Sequence, residues 1–156
     1  MSLTIELELA YEFAVKAPFK TVFDLLSDVP ASASHFPDVD KLTDLGGNRY
    51  RWQMRPVGTP QVHLQTTYAS AYVSDRKKGT VTWTPIPGEG NAQVSGSWTL
   101  TRQKSSTLLV LRIQGAFETP FPQLMKVVVS PIVSAEFERL VETYIDRLIE
   151  HLGGEV

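Results

Sequence analysis

Along the first fifteen residues, apolar and polar side chains alternate. Ile5, Leu7, Leu9, Tyr11, Phe13 and Val15 stand against Thr4, Glu6, Glu8, Ala10 and Glu12. That period of two predicts a half-buried strand with an acidic outer face. The spacing then changes. Pro18 sits where a first helical residue is expected, and Val22, Phe23, Leu25 and Leu26 follow at helical intervals until Ser27-Asp28-Val29-Pro30 stops the run. A second short helix is expected at Pro30–Phe36, ended by Pro37 because the residue before a proline is driven out of helical angles.

Six further strands are predicted at Lys41–Gly46, Asn48–Arg55, Gln61–Ser74, Thr80–Thr84, Ala92–Arg102 and Thr107–Glu118. Most alternate cleanly, as Val94, Gly96, Trp98 and Leu100 do against Ser95, Ser97, Thr99 and Thr101. In the Gln61–Ser74 run, Tyr68 and Tyr72 compete with Ala69, Ala71 and Val73 for the inner face. One polar and one apolar face imply an antiparallel sheet covered on one side only. The cover is the last quarter of the chain, where Leu124, Met125, Val128, Ile132, Val133, Phe137, Leu140, Val141, Tyr144, Leu148 and Leu152 form one stripe of a helix from Phe121 to Leu152. Such a helix would run roughly 45 Å, so it is expected to bend or break, and Pro131 supplies the place. The fold class is α+β: strand, two short helices, six strands and a long closing helix in one domain over residues 1–156.

Short connections make consecutive strands hairpin neighbours, so alternate connections gather at the same end of the sheet. Gly46-Gly47-Asn48, Asp75–Gly79 and Gln103–Ser106 form one set of tight polar turns. Ala17-Pro18, Pro56–Pro60, Pro85–Gly90 and Thr119–Pro122 form the other, with seven of the ten prolines. Longer, stiffened loops at one end read as a mouth, because sites sit on loops held by a rigid scaffold. The competing reading is that prolines protect strand ends from mispairing.

Composition bounds the rest. The chain has 156 residues, 42% hydrophobic and 21% charged, with a formal net charge of -2. That is a globular chain with no global attraction for nucleic acid or anionic membrane. It has no cysteine, which removes disulfides, thiolate catalysis and zinc-thiolate sites and accords with a cytoplasmic location. Neither a signal peptide nor an apolar span of membrane length is visible in the sequence.

No reaction motif stands out. His35, His63 and His151 have no ligand spacing, so no metal or other cofactor is expected. His151 reads as a helix C-terminal residue favoured by the dipole. His63 could act as acid or base only if it faced inward, and alternation puts it opposite Val62 and Leu64. Asp38–Asp44 fails as a calcium loop because Leu42 and Thr43 stand where an oxygen ligand and Gly are required. Gly96-Ser97-Trp98 lies inside a strand pattern, not at a nucleophile elbow, and Gly46-Gly47 and Gly88-Glu89-Gly90 read as turns too short to cradle phosphate. Arg49, Arg51 and Arg55 share a face that Tyr50 and Trp52 do not, so charge and stacking cannot meet one nucleic-acid strand.

The order of elements, and Val15-Lys16-Ala17-Pro18-Phe19-Lys20-Thr21-Val22-Phe23-Asp24-Leu25-Leu26-Ser27-Asp28 within it, resembles the START-like (SRPBCC) superfamily of helix-grip proteins. That group includes polyketide cyclases/dehydrases, plant allergen-type ligand carriers and subunit-G-like proteins associated with carbon monoxide dehydrogenase. The resemblance covers essentially the whole chain. It implies a curved seven-stranded sheet wrapped around the last helix, with an apolar cavity for lipids, polyketides, sterols or quinones. It maps no catalytic residue. The expected lining is Trp52, Met54, Tyr68, Trp83, Trp98, Phe117, Phe121, Leu124, Met125 and Val128. Gly96 and Gly115 on the inner face would leave room, since side chains are absent there.

Three functions remain open. A carrier needs only the apolar cavity. A polyketide cyclase or dehydratase needs an inward ionisable group, with His63, Arg55, Arg112 and Glu118 the nearest candidates. An accessory protein of a larger complex would dock through the proline-rich end. The expected partner is a small hydrophobic molecule, with no nucleic acid and no integral membrane segment; any protein partner is unknown.

Overall fold

The computed structural model describes residues 2–61 and 63–156. In chain order the elements are β1 (Ser2–Val15), α1 (Phe19–Ser27), α2 (Val29–Ala33), β2 (Val39–Gly46), β3 (Arg49–Met54), β4 (Val57–Gly58), β5 (His63–Leu64), β6 (Thr67–Asp75), β7 (Thr80–Pro85), β8 (Ala92–Arg102), β9 (Thr107–Pro122), a 3-10 turn at Gln123–Met125 and α3 (Lys126–His151). Seven strands form one antiparallel sheet in the order β1-β9-β8-β7-β6-β3-β2. Strands β2, β3 and β6 to β9 follow one another as a meander. β1 closes the far edge against β9 through an almost unbroken register from Leu3↔Thr119 to Val15↔Thr107. β4 and β5 form a separate two-stranded hairpin, with β4 lying against α3.

α3 covers the inner face. Val129, Val133, Phe137, Leu140, Val141, Tyr144, Ile145 and Leu148 are buried along it, every three or four residues, which is one face of a helix. They meet Ile5, Val94, Phe117, Trp98, Leu100, Leu109 and Leu111 from the sheet. α1 and α2 fill the remaining side. Asp28 ends α1 and caps α2, its carboxylate accepting the Ala31 amide at 3.3 Å. Arg76 pairs with Asp24 at 2.6 Å and lies 4.6 Å above the Phe23 ring, which ties α1 to the β6–β7 turn.

Several sequence expectations are corrected. The closing helix begins at Lys126, not Phe121, because β9 continues to Pro122. Thr119 and Phe121 each precede a proline and are held extended, and the β1 ladder continues to Leu3↔Thr119 and Ser2↔Pro122. Pro131 does not break α3. It removes one N–H, while the fully buried Val129 and Val133 anchor the helix on either side of it. The Gln61–Ser74 run is two strands, β5 and β6. Ala17-Pro18 lies at the tight-turn end, since Val15 pairs with Thr107 and Lys16 donates to the Gly154 carbonyl at 3.0 Å; the other six prolines of that set stay at the opposite end.

Two glycines expected to leave room do not. A Cβ on Gly96 would stand 2.4 Å from the Trp83 ring, and one on Gly115 2.7 Å from the Phe117 ring. Each glycine admits an aromatic ring lying flat on the sheet. This separates core from surface in a way a denaturant titration can read. Leu140→Ala is expected to cost about 2–5 kcal/mol, the usual range for emptying a buried leucine site. Leu124→Ala is expected to stay within about 0.5 kcal/mol, because Leu124 is 95% exposed. Equal losses would contradict the packing described.

Candidate functional site: an apolar pocket between sheet and helices

Under the sheet lies a pocket of about 90 Å³, walled by β1, β3, β6 to β9, α1, α2 and α3. Its lining includes Leu7, Leu9, Met54, Val94, Ile113, Phe117, Phe137 and Val141, with the aromatic residues Phe36, Trp52, Tyr68, Tyr72, Trp83, Trp98 and Tyr144. No Asp, Glu, His, Lys or Arg is among the described lining residues. Every wall is a hydrocarbon, an aromatic ring, a hydroxyl, a thioether or backbone.

The aromatic residues are ordered by the strand register. Trp52 and Tyr68 are cross-strand partners, and their rings stack with centroids 5.9 Å apart and planes 9° from parallel. Tyr72 and Trp83 are partners one strand further on, centroids 5.8 Å apart. The Trp52 indole donates to the Tyr72 hydroxyl at 2.9 Å. From the helical side, Ser32 of α2 and Tyr144 of α3 share a 2.5 Å hydrogen bond. Phe36 packs edge-on to Trp52 and tilted against Tyr144. The contest for the inner face of β6 is thus settled for the tyrosines, and Val73 is left 65% exposed.

Burial dominates the titration of these phenols. Tyr144 is pushed up to about 12 by burial, opposed by its hydrogen bonds with Ser32 and Trp98. Tyr72 rises by burial, which outweighs the hydrogen bond from Trp52. Tyr68 rises well above its ordinary 10.0 by burial first, with Tyr72 and Tyr144 adding to it. All three are neutral at physiological pH.

Of the residues expected to line the cavity, Trp52, Met54, Tyr68, Trp83, Trp98 and Phe117 do so. Phe121 and Met125 are half-buried against the core but outside the lining. Leu124 and Val128 are corrected: they point to solvent, Val128 being 53% exposed, because Leu124 lies in the 3-10 turn before α3 and the buried face of α3 is taken by Val129 and Val133. Arg55, Arg112 and Glu118 are exposed. Val62 and the His63 side chain lie outside the described residues. His35 and His151 come together at the end of α3, ring centroids 4.7 Å apart and away from the pocket, and burial and the His151 and Arg147 charges lower the His35 pKa. Among the described residues no three His, Cys, Asp or Glu side chains gather as a metal would require.

Ser32, Phe36, Tyr72 and Tyr144 join the lining without having been expected there. Ser32 and Phe36 are four apart, and that spacing is the available signal. Nothing in the sequence says that α2 tucks beneath the sheet.

Residues 6–152 match the family described as polyketide cyclase / dehydrase and lipid transport, and the chain belongs to that family. Its fold is shared with the protein TTHA0849 from Thermus thermophilus (TM-score 0.71, 18% identity, 94% of this chain and 97% of that one). It is likewise similar to the Zhui aromatase/cyclase from Streptomyces sp. R1128 (0.67, 16%, 96% and 99%). A START superfamily protein from Mycobacterium smegmatis gives 0.67 at 14% identity over 93% of this chain and 96% of that one. No curated protein matches the chain by sequence. No helix among the described residues is long and apolar enough to cross a membrane.

The raised phenol pKa values fix the sign of an alkaline effect. Unfolded tyrosine loses its proton near 10, while the folded phenols hold theirs longer. Between those values the unfolded chain binds fewer protons, so stability falls as pH rises. Stability is therefore expected to be level below about pH 10 and to drop above it, with phenolate absorbance appearing together with loss of near-UV ellipticity. Titration of Tyr68, Tyr72 and Tyr144 near pH 10 with the fold intact would contradict the enclosed pocket.

Proposed function

We propose that the protein binds a small, largely apolar molecule in the pocket between sheet, α2 and α3. The supporting observation is the lining: an apolar and aromatic enclosure with neutral hydroxyls and indoles and no described charge. Family membership supports the same reading. Burial of apolar surface would supply affinity at about 25 cal/mol per Å².

The free pocket, at about 90 Å³, is smaller than the roughly 300–1,000 Å³ that drug-sized guests occupy, so binding requires it to widen. The proline-rich end is the proposed entrance. There the β4–β5 hairpin meets α3, and the turn into α3 exposes Leu124, Val127 and Val128.

A cyclase-type activity is the second reading, supported by the family and by the fold shared with an aromatase/cyclase. Three of its four candidate ionisable groups are exposed, and the fourth, His63, has its side chain outside the described residues. In this reading the inward phenols would be the proton donors.

The test is uptake of Nile red, with native mass spectrometry of the freshly purified protein. Wild type is expected to bind one dye with a blue-shifted emission. Ile113→Phe, which enlarges a partly accessible lining residue, is expected to stay folded and lose at least about tenfold in affinity, as about 1.4 kcal/mol per decade implies. No dye uptake and no co-purifying mass would reject the binding reading; equal uptake by the variant would place the dye elsewhere.

A further inference from the structure

The polar groups in the pocket do not satisfy one another. Indole nitrogens only donate, and a phenol donates once and accepts through its oxygen. The Trp52 N–H is used on the Tyr72 oxygen, which leaves the Tyr72 hydrogen without an acceptor among the described residues. Ser32 and Tyr144 share one hydrogen bond, so one of their two hydroxyl hydrogens is left over. Tyr68 has neither a donor nor an acceptor partner among the described residues. Its ring is stacked parallel to Trp52, and it lines the same pocket as the Tyr72 and Tyr144 phenols. Three O–H hydrogens of the lining are therefore paired with no acceptor among the described residues. A lining hydroxyl without a protein partner is left to what fills the pocket, and its hydrogen calls for an acceptor there.

The missing acceptor is uncharged. A carboxylate would lose its hydration on entering, and among the described lining residues no Lys, Arg or His is present to compensate it. A carbonyl, ether or hydroxyl oxygen on an otherwise apolar guest meets the three donors without that loss. We propose that Tyr68 is the specificity-determining residue of the pocket, that it donates to an uncharged acceptor oxygen of the guest with Tyr72 beside it, and that the protein selects neutral, oxygen-bearing apolar molecules over carboxylates. This rests on the binding reading above. The Tyr68 ring supplies the stacked wall and its hydroxyl supplies the choice of guest, so the two roles separate by removing one oxygen.

The experiment compares three probes on one naphthalene frame, the 6-dimethylamino-2-propionyl ketone, its 2-propyl analogue and its 2-carboxylate, against wild type and Tyr68→Phe. The ketone is expected to weaken about fivefold to tenfold in Tyr68→Phe, as for one net hydrogen bond of about 1 kcal/mol, while the propyl analogue stays unchanged. The carboxylate is expected to bind wild type at least about tenfold more weakly than the ketone. Both proteins should melt at closely similar temperatures, since the Trp52 stack is retained. If ketone and propyl probes respond identically to Tyr68→Phe, or the carboxylate equals the ketone, the specificity assignment fails while the binding reading survives. If no probe binds wild type, the binding reading fails and takes the assignment with it. Tyr144→Phe is the second variant: a loss there with none at Tyr68→Phe would overturn the role given to Tyr68.

Discussion

The contact on which the rest depends is the burial of α3 against the inner face of the seven-stranded sheet. A sheet with one apolar face cannot stand alone in water. Val129, Val133, Leu140 and Leu148, each essentially inaccessible, fix α3 along that face. Once α3 is fixed, Tyr144 is delivered to Ser32, α2 is held beneath the strands, and the inward aromatic rings of β3, β6 and β7 have a ceiling. The pocket is the space this helix leaves between its two contact regions, where Phe36, Trp83 and Ile113 touch both core clusters.

Period-two alternation makes β1, β8 and β9 legible, because each presents one polar and one buried face. The boundary between β9 and α3 is not legible. Residues 121–128 carry an apolar pattern that suits a helix, and only the X-Pro restriction at Thr119 and Phe121, with the β1 ladder, keeps the chain in strand as far as Pro122. That shift takes Leu124 out of the helix and leaves it on the surface. Pro131 misleads in the other direction, since losing one hydrogen bond is small beside the burial of the valines around it.

The glycines show a second limit. An absent side chain on an inner face can mean an empty space or a place taken by a neighbour, and only the register tells which. Here Trp83 lies over Gly96 and Phe117 over Gly115. The same register brings Trp52 beside Tyr68 and Tyr72 beside Trp83, so a loosely expected aromatic lining becomes an ordered set with a definite hydrogen-bond inventory. What the sequence suggests as shape is, in the structure, also chemistry: neutral donors among apolar walls.

A guest between sheet, α2 and α3 is distinguishable from one that merely adheres to the apolar surface at the start of α3. Intermolecular nuclear Overhauser effects from a bound neutral naphthalene to methyl-labelled protein decide this directly. A guest in the pocket gives contacts to Leu7, Leu9, Met54, Ile113 and Val141. Contacts confined to Leu124, Val127 and Val128 would place the guest on the surface and overturn binding in the pocket.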